Sequence, residues 1–213
     1  MKDVPFEVPP MFEIAAVTLK DDVRDVFVSR EGIHFKELKK GAVIGTSSNR
    51  RAAQLKMLRE DIKVVPIRGN VETRIRKMNE QKLDGVILAA AGLKRLNMED
   101  IITDYFSTEE MVPAVGQGAL GIEIKKGNIN EKTFRGLDVI QNRMCVEAER
   151  SFMRTLNGDC HSTIGAYAEV NGNNMHVMGF YQLNGKNIKK DIDGNSEDYV
   201  NLGEKLAQKI LEG

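Results

Sequence analysis

Two sets of residues in this sequence could do chemistry. The first is a single thiol, Cys160, in the run Leu156-Asn157-Gly158-Asp159-Cys160-His161-Ser162-Thr163-Ile164. A helical pattern stops at Asn157-Gly158 and an alternating strand pattern starts at Ile164, which sets the thiol on a connecting turn. A cysteine there is better exposed for covalent chemistry than one on an apolar face. On position alone the alternative, a small buried hydrophobe, stays open.

The second set is a series of arginines. Arg50-Arg51, Arg68 with Arg74, and Arg95 each follow a short apolar run that reads as a strand. Between Gly41 and Leu96 there are 12 Lys and Arg against 5 Asp and Glu, in a chain whose formal net charge is zero. Arginine presents a planar fork that suits carboxylate or phosphate groups. A helix beginning near Ser47 and Ser48 would add free N–H groups and a positive dipole end. A solvated basic face is the competing reading. Recurrence at equivalent strand ends favours a cleft for a polyanion. Nucleic acid fits poorly, because no aromatic residue lies between Phe35 and Tyr105 to stack a base.

These residues need positioning elements, and the patterns supply them. Strands are expected at Glu13–Leu19, Asp25–Ser29, Ala42–Gly45, Ile62–Ile67 and Asp84–Leu88, with helices over Arg50–Arg59 and Val71–Gln81. Alternation of strand and helix predicts βαβ units on a parallel sheet, with ligands beyond the carboxyl ends of the strands. Glycines in Val112-Pro113-Ala114-Val115-Gly116-Gln117-Gly118 permit close backbone approach, and Ile122–Lys125 reads as a strand. A mostly helical stretch from Asn130 to Leu156, broken near Asn142, holds Cys145 among apolar residues. Beyond Cys160 the period becomes two. Asn171-Gly172 and Asn184-Gly185 then mark hairpin turns, and a helix runs from Tyr199 to Leu211. The first two strands have nothing before them to pair with, so the chain is expected to begin in the middle of a domain.

The chain has 213 residues, enough for one large or two small domains. Its two cysteines are too few for a disulfide framework and fit a reducing compartment. No apolar run approaches the ~20 residues of a membrane span, and no signal peptide is visible, so a cytoplasmic location is expected.

The motifs resemble the hydroxymethylbilane synthase, or porphobilinogen deaminase, family from Met1 to about Ala168. They are Lys2-Asp3-Val4-Pro5, Gly45-Thr46-Ser47-Ser48-Asn49-Arg50-Arg51, Ile67-Arg68-Gly69-Asn70-Val71 with Thr73-Arg74, Ala89-Ala90-Ala91-Gly92-Leu93-Lys94-Arg95, Pro113-Ala114-Val115-Gly116-Gln117-Gly118-Ala119 and the Cys160 loop. The resemblance implies an α/β fold of the periplasmic-binding-protein kind with a small C-terminal α+β module, a three-stranded antiparallel sheet plus helices. It implies a transferase that links four porphobilinogens head to tail with loss of ammonia, in tetrapyrrole (haem) biosynthesis. A dipyrromethane cofactor would be held by a thioether to Cys160, with Lys2, Ser48, Arg50, Arg51 and Arg74 around it. Arg68, Arg74 and Arg95 would bind substrate carboxylates, and Asp3 would be the catalytic carboxylate. No metal, nucleic acid or membrane partner is implied.

Asp159 stands where the family usually has glycine, and Thr163 where it usually has proline. The family also begins with a further N-terminal stretch, so residues 1–23 and 113–137 are expected to be a remnant of domain 1. Residues 24–112 would be domain 2 and 138–213 domain 3. A complete chain is expected to be a monomer; a truncated one can self-associate through unpaired strand edges. The other reading is an inactive remnant that only binds polycarboxylates, and a periplasmic-receptor-like anion module is a third.

Overall fold

The computed structural model describes residues 1–5, 7–157 and 162–212, so Asp159 and Cys160 lie outside the described residues. In chain order the elements are β1 (Phe12–Val17), β2 (Asp25–Ser29), β3 (Val43–Gly45), α1 (Asn49–Leu58), β4 (Lys63–Val65), α2 (Val71–Glu80), β5 (Gly85–Ala89) and α3 (Ala90–Lys94). They continue with β6 (Asp104–Tyr105), β7 (Gly121–Lys125), α4 (Glu131–Arg135), α5 (Ile140–Thr155), β8 (Ile164–Asn171), β9 (Asn174–Leu183), β10 (Lys186–Asn195) and α6 (Tyr199–Leu211). The architecture is mixed α/β. The chain divides into two compact units, one of Asp22–Pro113 and one of Met1–Asp21 with Ala114–Gly213.

The Asp22–Pro113 unit is built on a five-stranded sheet of order β4-β3-β5-β2-β6. β3 runs parallel to β4 and β5, but β2 runs antiparallel to both β5 and β6. The sheet is therefore mixed rather than wholly parallel, and β2, expected to lack neighbours, lies between two of them. Alternation in β2 and β5 explains the two covered faces. Phe27 and Ile87 join Leu55 of α1 in one apolar cluster, while Val26, Val28, Val86 and Leu88 join Met78 and Leu93 in another. Each face buries its own helix, as a period of two on a doubly covered sheet requires. β4 is shorter than the apolar run Ile62–Ile67 suggests, because Pro66 has no N–H to extend the ladder.

In the other unit β8, β9 and β10 form an antiparallel sheet of order β10-β9-β8. The Asn171-Gly172 and Asn184-Gly185 turns lie between these strands, with Asn184 and both glycines at positive φ. Helices α5 and α6 bring Phe152, Leu206 and Ile210 into one core with Ala166, Met175 and Val177. Gly203 lets α6 approach α5 closely, since a Cβ there would run into the Ala148 carbonyl oxygen.

β1 and β7 pair antiparallel in a two-stranded sheet. Side chains near the start of α5 take up part of the β1 backbone. Asp138 Oδ1 accepts from Val17 N at 2.7 Å, and Arg143 Nη2 donates to Ile14 O and Ala15 O at 3.1 and 3.0 Å. The strand is thus less open than its sequence neighbourhood suggests. The helical break expected near Asn142 falls instead between α4 and α5, where Asp138 is also tied to Arg143 Nε at 2.7 Å. Among the described residues no helix is long and apolar enough to cross a membrane.

Candidate functional site

Because β3, β4 and β5 are parallel, the loops leaving them open at one end of the sheet. The connections that follow carry Ser48 with Arg50 and Arg51 in the first turn of α1, Arg68-Gly69-Asn70 before α2, and Arg95 just past the short α3. The antiparallel β2 starts at that same end, since Asp25 pairs with Ala89, the last residue of β5. Topology therefore delivers a carboxylate into the arginine cluster.

The cluster is tightly built. Ser48 caps α1, its Oγ accepting from Arg51 N at 3.4 Å, and Ser47 Oγ ties this loop to the next by donating to Ile67 O at 2.8 Å. Arg50 and Arg51 occupy the first turn of α1, where the helix dipole disfavours cations. Asp25 offsets this. Its Oδ2 accepts from Arg50 Nη1 at 2.7 Å, and its Oδ1 from Arg51 Nη2 at 2.6 Å and Nε at 3.1 Å. Arg50 and Arg51 also donate to the Val112 and Ile87 carbonyls, and Gln54 holds Val112 through both its backbone groups. Asp25 is wholly buried, and Arg50 and Arg51 are nearly so. Burial alone would raise the Asp25 carboxyl, but the two guanidinium charges outweigh it and hold the group well below the usual range. For Arg50, burial pulls in the opposite direction and lowers it.

Arg74 completes the set. It lies half-buried on α2, behind the Asn70 cap, with Nε donating to Gly69 O at 2.8 Å. Its pKa is lowered first by burial and then by the charge of Arg51, which brings these two guanidiniums into mutual repulsion. Arg50 and Arg51 thus share one carboxylate, and no ion pair of Arg74 is present among the described residues. A ligand bearing several carboxylates fits that imbalance. Arg68 and Arg95 are exposed on the same loops. Nearby, Asp22 bridges Arg24 at 2.7 Å and Lys94 at 3.1 Å, and Arg24 lies 4.2 Å from the Tyr105 ring centroid.

The structure therefore brings Arg50, Arg51 and Arg74 together, with Ser48 on the same loop, and leaves Arg68 and Arg95 at the surface. Lys2 and Asp3 belong to the other unit, both exposed in the turn after Met1. Cys160 lies outside the described residues. Cys145 is buried, and burial pushes its thiol up to about 11.

Sequence reasoning missed three charged residues. Asp25 opens an apolar strand and reads as an ordinary boundary residue. Glu149 and Arg150 sit inside a helical pattern, yet both are almost fully buried. Glu149 and Arg150 have apolar neighbours three and four residues away on α5, a weak signal of burial, whereas nothing local marks Asp25 at the start of β2.

Comparison with known proteins gives a consistent result. Residues 1–133 match the family described as "Porphobilinogen deaminase, dipyromethane cofactor binding domain", and residues 143–212 match "Porphobilinogen deaminase, C-terminal domain". A porphobilinogen deaminase of Clostridium acetobutylicum is 78% identical over 212 residues, covering 100% of this chain and 73% of that protein. Those of Clostridium beijerinckii and Clostridium botulinum are 59% and 58% identical over the same shares. Among solved structures, a Salmonella typhimurium periplasmic binding protein with high arginine specificity aligns at 17% identity and a TM-score of 0.37, over 57% of this chain and 56% of that one. With family matches over both parts of the sequence and an arginine cluster suited to polycarboxylates, the chain belongs to the porphobilinogen deaminase family, transferases of tetrapyrrole biosynthesis that act on a small pyrrole substrate.

Proposed function

We propose that this chain is a hydroxymethylbilane synthase that joins four porphobilinogens head to tail. One water is consumed, and one ammonia leaves for each porphobilinogen. The observation that carries this reading is the Arg50–Arg51 pair sharing one carboxylate, Asp25, with Arg74 close enough to feel the Arg51 charge and without an ion pair among the described residues. Each pyrrole unit bears an acetate and a propionate, so cofactor and growing chain together present many carboxylates to bind.

Cys160 anchors dipyrromethane through a thioether, which resists hydrolysis. When bound, the cofactor supplies the nucleophilic pyrrole carbon to which units are added. Arg50, Arg51 and Arg74, with Ser48 and Lys2, hold cofactor carboxylates, and Arg68, Arg74 and Arg95 hold those of substrate. Asp3 accepts the substrate pyrrole N–H and stabilises the cation that develops on that ring as ammonia leaves. A cytoplasmic enzyme goes with this reading, because the anchor must stay a free thiol until it is loaded.

The test is porphobilinogen consumption by the purified chain, with ammonia measured alongside. One ammonia per porphobilinogen consumed supports the reading. Tight polycarboxylate binding with no turnover would leave an anion-binding protein instead.

A further inference from the structure

The turn that carries Asp3 is held from several directions. Met1 N donates to Ala119 O at 2.7 Å, and Val4 N donates back to Met1 O at 3.0 Å, closing the turn over Lys2 and Asp3. Gly116 lies directly against it at φ +70°, where a Cβ would come within 2.6 Å of Met1 Cβ and 3.2 Å of Lys2 N. The Gly116 N–H donates in turn to Glu149 Oε2 at 2.6 Å. Glu149 Oε1 accepts from Lys20 Nζ at 2.7 Å and from Ala168 N at 3.0 Å, so this carboxylate is itself fixed on several sides.

The next residue on α5 takes hold of the chain that leaves the turn. Arg150 donates Nη2 to Pro5 O at 2.7 Å and Nη1 to Val4 O at 3.4 Å. Adjacent helical side chains diverge by about 100° at 3.6 residues per turn, so Glu149 and Arg150 reach different neighbours from one point. Arg150 is only 3% exposed, and burial works against its charged form. Burying a guanidinium is unfavourable unless it is well hydrogen-bonded. An irregular segment that only needed anchoring could be held by apolar contacts such as those of Val4 with Met1 and Val146.

We propose that Arg150, backed by Glu149 through Gly116, is a positioning residue for the Asp3 carboxylate, fixing the direction in which the Lys2–Val4 turn presents it. This rests on Asp3 being the catalytic carboxylate. Arg150 itself touches no reacting atom in this account. Its loss should therefore lower kcat while KM stays nearly constant, because the carboxylates of the substrate are held by other residues.

The experiment uses the full chain with Arg150→Met, Arg150→Lys and, as a charge-matched control on the exposed face of α6, Lys205→Met. Two readouts are taken: amide exchange at Val4 relative to the amides of β9, and porphobilinogen turnover resolved into kcat and KM. Arg150→Met is expected to speed Val4 exchange at least about tenfold with β9 unchanged. It should also lower kcat by about a hundredfold with KM within about twofold, the scale expected for a reacting group displaced by ~1 Å. Arg150→Lys keeps the charge but not the two-pronged grip and should recover part of both, and Lys205→Met should change neither. A Val4 amide that exchanges no faster in Arg150→Met overturns the inference, as does an unchanged kcat or a β9 exchange that rises as much as Val4. If the unaltered chain shows no turnover, the functional reading fails. The exchange comparison then still decides whether Arg150 orders the turn.

Discussion

Asp25 Oδ1 lies 2.6 Å from Arg51 Nη2 and 3.1 Å from Arg51 Nε, with the carboxylate wholly buried and its other oxygen on Arg50. This contact makes two arginines of the candidate site part of the fold as well. Removing the charge at Asp25 would strand two buried guanidiniums. Breaking one partner of a buried ion pair typically costs about 3–5 kcal/mol. Asp25→Asn is expected to lower the stability of the Asp22–Pro113 unit by that order. Denaturant unfolding followed on probes within that unit checks it; a change under about 1 kcal/mol contradicts the assignment.

Asp22 gives the pH dependence its sign. The Arg24 side chain first, aided by Lys94, holds its carboxyl down to about 2 from an ordinary 3.8, despite some burial. A depressed folded-state value contributes stability that is present above the unfolded value and lost as pH falls through the folded one. Between about pH 4 and 2 that contribution disappears. Arg24 is partly exposed, so after solvent screening it amounts to about 1–2 kcal/mol. Asp22→Asn should therefore be less stable than the unaltered chain at pH 7 and nearly equal to it at pH 2. A stability difference independent of pH would rule out the charge as its cause.

Arg74 is the cleanest probe of anion binding, because it is not tied to Asp25. Arg74→Leu should weaken binding of a pyrrole polycarboxylate by about 1.5–3 kcal/mol, roughly ten- to a hundredfold, with little effect on thermal unfolding. Arg76→Leu, on the same helix but paired with Glu80 at 2.6 Å, should bind normally. Calorimetric titration of both variants separates a built site from a solvated basic face, which would show equal small losses.

At Gly116 the backbone is left-handed and pressed against Met1 and Lys2. Gly116→Ala adds strain of about 1–3 kcal/mol and forces the Lys2–Val4 turn to shift. A lowered unfolding temperature together with faster Val4 amide exchange is expected. An alanine tolerated without either effect would show that this contact does not hold the turn.

Much of the basic α/β unit was legible in the sequence. The capping residues Ser48 and Asn70, the apolar strand runs and the hairpin dipeptides act through local chemistry, and each appears where that chemistry dictates. The direction of β2 was not legible, because Asp25–Ser29 pairs with residues 56 to 79 positions away and an apolar run carries no sign of its partner's direction. Asp25 was missed for the same reason: only the antiparallel register brings it beside Arg50 and Arg51. Glu149 and Arg150 were hidden because helical spacing alone does not distinguish a buried charge with partners from an exposed one. The helical break was placed late because the signal at Gly136-Leu137-Asp138 depends on Asp138 reaching Val17, a contact 121 residues away in sequence.

The two thiols should differ sharply. With its thiol pushed up to about 11 by burial, Cys145 carries about a hundredfold less thiolate near neutral pH than an ordinary cysteine. Brief iodoacetamide treatment of the native chain produced without porphobilinogen should label Cys160 and spare Cys145. Equal labelling would show that the α5 core opens readily.

The central claim is that Cys160 carries a covalent dipyrromethane, and intact mass of the chain purified from porphobilinogen-producing cells tests it most directly. The account predicts one dipyrromethane adduct, mapped by peptide analysis to Cys160, absent from Cys160→Ser and retained in Cys145→Ser. An unmodified mass, or an adduct on Cys145, would contradict it.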